Sequence, residues 1–302
     1  MSNRKVGLWM YKNGGGKAIE KKIVEQLKER EIDTSTNLDL RFARASQEGI
    51  ICNNVDMLEL DLFFSYNAGE QTIAQTYMYE TLSRYIHTVN TYEAFSISED
   101  KFKTNIALSL AGVNTSEFFL CHREQPEYMV EKFKEWKKLV FKPVDGWGGN
   151  GMTLLESRQS LNTLMPFLNQ SDIRHIYLEK FIDNDFTDYR IDLVDGEFIA
   201  CYGRKASERE WRTNITSGGS VMLREPNDEI IDIAKQASNA LGMDIAGVDI
   251  LYDRKREEYV VLEVNGIPAF ATPKQEKMGL DFNDKKIEKI VELIDSKTKY
   301  KA

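Results

Sequence analysis

Cysteine, histidine and proline are all scarce in this chain of 302 residues. The three cysteines, Cys52, Cys121 and Cys201, stand far apart with no C-x-x-C spacing. An odd, scattered set supports neither a disulfide framework nor a thiolate zinc site. The three histidines, His87, His122 and His175, form no H-E-x-x-H or H-x-H pair, so any metal should be held by carboxylates. With six prolines and no Gly/Ser-rich tract there is no flexible linker, and no internal repeat is present. No apolar run approaches the roughly 18 residues that span a bilayer. The longest, Leu60 to Phe64, is interrupted by Asp61, and Val6 to Met10 is too short for the core of a signal peptide. The expected location is the cytoplasm. A basic excess is missing as well: Lys plus Arg is 40 against 48 Asp plus Glu, a net charge of −8. Neither nucleic acid nor a membrane is an expected partner, although a local basic pocket for a small anion remains open.

What is present is ordinary for a globular protein, with 42% hydrophobic and 29% charged residues. The length suits two domains or one large α/β unit. Residues 4–10 read as a buried strand and 17–30 as an amphipathic helix, with Ile19, Ile23, Val24 and Leu27 at helical spacing. Leu58 to Tyr66 reads as a second strand and Glu70 to Ile86 as a helix leading into a further strand. Alternation of this kind predicts a parallel sheet covered on both faces, over residues 1–93. Ser98 reads as the cap of a helix running to Leu110. Strands follow at Phe118–Cys121, Leu139–Pro143 and Ile176–Phe181, with helices at Tyr128–Trp136 and Ser160–Leu168. From Tyr189 strands dominate. Asp195-Gly196 is a two-residue hairpin signal between Tyr189–Val194 and Glu197–Tyr202. A second hairpin joins Ile245–Tyr252 to Tyr259–Asn265. Helices are expected at Glu229–Leu241 and Lys285–Ile294. The expected units are 1–93, 94–180 and 181–302.

Several stretches carry chemistry. Asn13 to Lys17 is similar to a phosphate loop, but Ala18 stands where the Walker pattern needs Ser or Thr, so it reads as a turn opening a helix. Lys142 ends a strand and is followed by Gly146, Gly148, Gly149 and Gly151. Glycine lets backbone N–H groups close around phosphate oxygens, and Lys142 adds a fixed positive charge. In the last hairpin, a turn centred near Arg256 puts Asp249 opposite Glu263, and strand alternation puts Glu263 and Asn265 on one face. Three oxygen donors on one patch suit a hard cation such as Mg²⁺, and two facing carboxylates repel without one. Asp188, Arg190, Arg204, Lys205, Arg212 and Asn214 form a cation-rich cluster suited to phosphate, or else a solvated face. Glu179 and the backbone near Lys180 lie where a strand ends and are able to meet an adenine edge, or else belong to an ordinary amphipathic strand.

In this order and spacing the set resembles the ATP-grasp superfamily, most closely the RimK-type glutamate ligases. The likeness covers about residues 95–270. It rests on Asp100-Lys101, Phe141-Lys-Pro with its loop to Gly151-Met152, Asp188-x-Arg190, Arg204-x-Ala206, Trp211-Arg-Thr-Asn214 with Gly218-Gly219, Gly247-Val-Asp-Ile-Leu251, and Leu262-Glu-Val-Asn265 with Pro268. The resemblance implies an ATP-grasp fold, α/β at the start and α+β toward the C-terminal part, clamping a nucleotide between two subdomains. It implies Lys101 and Lys142 at the nucleotide phosphates, Glu179 and Lys180 at the adenine, and Asp188 at the ribose. Arg204, Arg212 and Asn214 would be the catalytic set, and Asp249, Glu263 and Asn265 would bind Mg²⁺, or Mn²⁺ in its place. The implied activity is an ATP-dependent carboxylate–amine ligase acting through an acyl phosphate, with small-molecule or peptide substrates, glutamate among them, in a homo-oligomer (dimer or tetramer). A kinase on the same fold and a non-catalytic nucleotide-binding regulator are the alternatives. Ala269 departs from the family's Asn-x-x-Pro-Gly on the substrate side.

Overall fold

The computed structural model describes residues 4–67, 72–144, 148–208 and 210–299. Its first part runs β1 (Arg4–Met10), α1 (Gly16–Glu29), β2 (Ile32–Ser35), a small meander of β3 (Arg44–Ser46), β4 (Gly49–Cys52) and β5 (Val55–Asp56), then β6 (Leu62–Tyr66), α2 (Ile73–Tyr85), β7 (His87–Val89) and α3 (Tyr92–Ser98). The larger sheet is parallel, in the order β2-β1-β6-β7. Alternation along β1 sends Val6, Leu8 and Met10 to the α1 side and Trp9 to the other. Gly7 makes room on that second side, where a Cβ would lie 2.7 Å from the methyl ends of Leu38 and Leu60. Two sequence expectations are corrected here, and one element is new. The second strand begins only at Leu62, because Asp56 Oδ1 accepts from Leu58 N at 3.0 Å and starts a single turn that buries Met57. The next helix begins at Ile73, capped by Thr72 in a reciprocal box with Gln75, and Glu70 lies outside the described residues. The meander was not foreseen; its strands are too short to show a period.

The middle part runs α4 (Lys101–Leu110), β8 (Phe118–His122), α5 (Pro126–Trp136), β9 (Leu139–Lys142), β10 (Thr153–Leu155), α6 (Arg158–Gln170) and β11 (His175–Lys180). Its strands pair antiparallel in the order β10-β9-β11-β8. Ser98 does not cap α4. It closes α3, and Asp100, in extended backbone, accepts from Lys103 N at 3.0 Å instead. Lys101 is thereby the first residue of α4, tied to the end of β9 by its N–H on Val144 O at 3.0 Å.

The last part runs β12 (Thr187–Val194), β13 (Glu197–Lys205), β14 (Ser220–Met222), α7 (Asp228–Ala240), β15 (Ile245–Asp253), β16 (Glu258–Asn265), α8 (Pro273–Glu276) and α9 (Asn283–Thr298). The sheet is antiparallel, ordered β14-β13-β12-β15-β16. Asp195 and Gly196 both have positive φ, the geometry a two-residue hairpin with the native twist demands. One face is apolar: Ile191, Leu193, Val248 and Val264 pack with Ile230, Ala234 and Ala237 of α7. The opposite face carries Asp188, Arg190, Asp192 and Asp249, all buried. Asp249 does pair with Glu263 and Gly247 with Asn265, but a bulge follows, so Ile250 pairs with Val261. Leu262 is the extra residue, which lets Val261 and Val264, three apart, both pack on the α7 side.

Helix α9 returns to the first sheet. Its Ile287, Ile290, Val291 and Ile294 share one core with Val6, Leu8, Ile23 and Leu27, and Arg4 meets Asp295 at 2.5 Å. No described helix is long and apolar enough to cross a membrane. Asn90 ties the first and last sheets together: its Nδ2 donates to Ile245 O and Gly266 O, both at 3.0 Å, and its Oδ1 accepts from Ile245 N at 2.7 Å. Asn90→Ala leaves these buried groups unpaired and should cost roughly 2–4 kcal/mol. A fall in the urea midpoint at unchanged slope is the expected readout, and an unshifted midpoint would rule out this clamp.

Candidate active site

The sheets of the middle and last parts meet at the glycine loop. Lys142, at the end of β9, is buried and donates from Nζ to Glu179 Oε2 at 2.5 Å. The other carboxylate oxygen, Oε1, accepts from Tyr177 OH at 3.0 Å and from Asn105 Nδ2 at 3.4 Å. Burial first, and the Glu179 charge second, push the Tyr177 hydroxyl far above its ordinary value, so it stays a donor. Gly148, Gly149 and Gly151 all have positive φ. The loop is seated on the segment after Trp211. Arg212 Nη1 donates to Gly149 O at 2.8 Å, and Thr216 Oγ1 donates to Gly148 O. A Cβ on Gly149 would lie 2.9 Å from Asn214 Oδ1 and 3.3 Å from Arg212 Cδ. Gly146 lies outside the described residues.

Beside this loop is a narrow cleft of about 80 Å³, lined by Lys142, Glu179, Ile182, Trp211, Arg212 and Leu262 among others. Lys180, expected with Glu179 at an adenine edge, lines the cleft beside it. Its N–H is bonded to Glu117 O at 2.9 Å and its ammonium to Glu117 Oε1 at 2.5 Å, which fixes the residue at the cleft's edge. Glu179 does line the cleft, with its carboxylate already committed to Lys142 and Tyr177.

The charged face of the last sheet supplies the second wall. Register sets Asp188 against Arg204, Arg190 against Asp249, and Asp249 against Glu263. Arg204 donates to Asp188 from Nε at 3.0 Å and from Nη2 at 2.6 Å, and its Nη2 is 2.8 Å from Asp249 Oδ2. Arg190 makes a two-point contact with Asp249, with Nη2 to Oδ2 at 3.0 Å. Burial alone would raise the Asp249 carboxyl; the two guanidiniums overrule it and hold it below the usual carboxylate range. Asp188 was expected to face a ribose. Instead it is fully buried, engaged by Arg204 and by the Thr213 hydroxyl, and so it anchors the segment that carries Arg212 and Asn214. Arg212 is also fixed by Glu210, with Nη2 to Oε2 at 2.6 Å. That hydrogen bond, first among the causes, pulls the Glu210 carboxyl down to about 2. Arg212 Nε is buried with no hydrogen-bond partner among the described residues.

A larger cavity of about 430 Å³ opens between the charged face, the glycine loop and the first part of the chain; Glu99, Gly148, Arg204, Asn214, Glu263 and Asn265 lie on its walls. Lys101, expected at phosphates, sits with Nζ 3.6 Å from Glu263 Oε1. Glu99 faces the cavity mouth yet is crowded. That crowding, and then the Glu263 charge, push its carboxyl up to about 7, with Lys101 opposing. Among the described residues no three His, Cys, Asp or Glu side chains form a metal cluster. Glu263 and Asn265 give a carboxylate and an amide oxygen at the cavity, whereas Asp249, the third expected ligand, has both carboxylate oxygens on Arg190 and Arg204 and lines neither cavity. Asn265 uses its Nδ2 on Gly247 O at 3.3 Å, which leaves the carbonyl oxygen for a cation. This donor set fits a hard cation completed by phosphate oxygens and water. The sequence reading missed Asn105, Tyr177, Thr213 and Glu210. Only Tyr177 left a signal, two residues before Glu179 on the same face of a strand.

Known proteins resemble this chain in sequence and in fold. Residues 98–290 match the model of the RimK-like ATP-grasp domain. The tetrahydromethanopterin:alpha-L-glutamate ligase of Methanocaldococcus jannaschii is 29% identical over 244 residues, 79% of this chain and 81% of that protein. A probable alpha-L-glutamate ligase of Klebsiella pneumoniae is 29% identical over 191 residues, covering 63% of this chain and 62% of that relative, just under two thirds of its length. Among solved structures, the ATP-grasp ligase PsnB complexed with minimal precursor, Mg and ADP superposes with a TM-score of 0.67 at 16% identity, over 98% of both chains.

Gly149→Val adds a branched side chain at positive φ, where Asn214 and Arg212 already crowd the position. Calorimetric titration with Mg·ADP should show binding weakened by about tenfold or more, since the backbone N–H groups no longer approach phosphate. Unchanged affinity would make the loop a structural hairpin.

Proposed function

The chain belongs to the RimK-like ATP-grasp family and is an ATP-dependent carboxylate–amine ligase; from that premise we propose that it joins an amino acid, glutamate foremost, to a carboxylate of a small molecule or peptide through an acyl phosphate. The observation that carries the reading is convergence on one cavity of about 430 Å³. The glycine loop, Arg204 with Asn214, and the Glu263–Asn265 end of the acidic hairpin all line it.

In this proposal a substrate carboxylate oxygen attacks the γ-phosphorus of ATP, ADP departs, and an amine then displaces phosphate from the acyl carbon and loses a proton. Lys142, at the narrow cleft, and Lys101, beside Glu263, supply fixed positive charge toward the phosphates. The glycine loop contributes backbone N–H groups, and Arg212 and Asn214 orient the transferred group and exclude water from the acyl phosphate. Arg204 holds its place through Asp188, so its charge is preorganised. A Mg²⁺ ion, or Mn²⁺ in its place, held by Glu263 and Asn265 at the cavity, and by Asp249 once it releases an arginine, would neutralise phosphate charge. The unit boundaries near 93 and 180, and assembly as a homo-oligomer, go with this proposal.

The test is a paired screen of carboxylates with L-glutamate and other amines, following ADP, phosphate and the amide by mass. One amide per ADP, dependent on the amine, is expected. Carboxylate-dependent ADP release with a stable phosphorylated product and no amide would replace the ligase by a kinase. ATP should raise the melting temperature only when Mg²⁺ is present, by an amount set by ligand concentration over Kd. Glu263→Gln should keep the far-ultraviolet spectrum and lose both that shift and turnover. A folded, fully active Glu263→Gln protein would remove Glu263 from the site.

A further inference from the structure

Beyond Asn265 the chain runs without helix or strand from Gly266 to Ala271. Gly266, Ile267, Ala269 and Phe270 form part of the wall of the 430 Å³ cavity. A wall made of irregular backbone holds its shape only if its polar groups are tied down. Here they are tied from behind. Lys286, near the start of α9, is 0% exposed. Its Nζ donates to Pro268 O at 2.8 Å, to Ala269 O at 3.2 Å and to Asp192 Oδ2 at 2.8 Å, so all three ammonium protons have acceptors. Tyr66 OH donates to the same Pro268 carbonyl. The rings of Phe270, Phe282 and Tyr66 stand 4.8, 5.8 and 5.9 Å from the ammonium. Asn283 brackets the far end, accepting from Ala271 N at 2.8 Å and donating to Ala271 O at 2.9 Å.

This arrangement is costly. Burying an ion pair gains little over an apolar pair of similar size, and a cation near a helix N-terminus opposes the helix dipole. Asp192 Oδ1 has no hydrogen-bond partner among the described residues. Stability alone is therefore a poor reason for the pair. What an apolar pair cannot supply is the two remaining protons on consecutive carbonyls of the cavity wall. Asp192 also lies on β12 two residues past Arg190, so the strand that carries an arginine of the site also carries the counter-charge of Lys286.

We propose that Lys286 is a positioning residue: through Pro268 and Ala269 it fixes the 266–271 wall against the Glu263–Asn265 hairpin, so that the carboxylate and amine meet a preformed surface. The inference rests on the ligase reading for its functional half and on geometry for its structural half. Lys286→Met alone strands a buried carboxylate and is expected to fold poorly. The informative variant in the full chain is Asp192→Leu with Lys286→Met, which removes both charges at similar size. This protein should unfold cooperatively and bind Mg·ADP within about twofold of wild type. Amide exchange over 266–271 should rise by about tenfold or more. The KM for L-glutamate in ADP release should rise by about tenfold with a smaller change in kcat. A folded double variant with wild-type protection at 266–271 would overturn the proposal, and so would an unchanged KM alongside increased exchange. If wild type shows no L-glutamate-dependent ADP release, the glutamate reading fails, and the exchange measurement alone decides whether Lys286 holds the wall.

Discussion

The site is organised by charge neutrality inside a β-sheet. Arg204, Asp188, Arg190 and Asp249 occupy one buried face of neighbouring strands, and their charges sum to zero. Removing each ion from water costs several kcal/mol, and only close, multiply hydrogen-bonded contacts offset that. The geometry is consequently tight, and it extends beyond the sheet. Asp188 holds Thr213, the same segment carries Arg212, and Arg212 holds the carbonyl of Gly149. The glycine loop of the middle sheet is thus placed by a carboxylate on the last sheet that lines neither cavity.

That linkage separates two kinds of residue in the site. Glu263, Asn265 and Asn214 present polar atoms at a cavity, where a ligand is able to compete for them. Asp188 and Tyr177 are buried within protein contacts and act by fixing a neighbour. Asn214 lines both the narrow cleft and the larger cavity, and so stands where the two meet.

Period and turn chemistry were legible in the amino-acid order. The two hairpins, the α/β alternation of the first part and the Asp249–Glu263 pairing follow from local rules that strand alternation makes exact over a few residues. The Leu262 bulge was not legible, because an extra residue in one strand leaves no mark on composition. The engagement of Asp188, expected at a ribose, by Arg204 and Thr213 was not legible for a related reason. Sequence shows that a carboxylate lies near arginines, but not whether it points at them or at a ligand. The helix start at Asp100 was misplaced by two residues because Ser98 and Asp100 are equally good capping types, and the packing of α3 decided between them.

The return of α9 to the first sheet bears on how the chain is made. Residues 283–298 complete the core that Val6, Leu8, Ile23 and Leu27 begin. Until α9 has been made, the part of that apolar core which α1 does not cover stays exposed. Contacts of such long sequence separation form slowly and leave apolar surface exposed meanwhile. Truncation before α9 would yield a chain prone to aggregate.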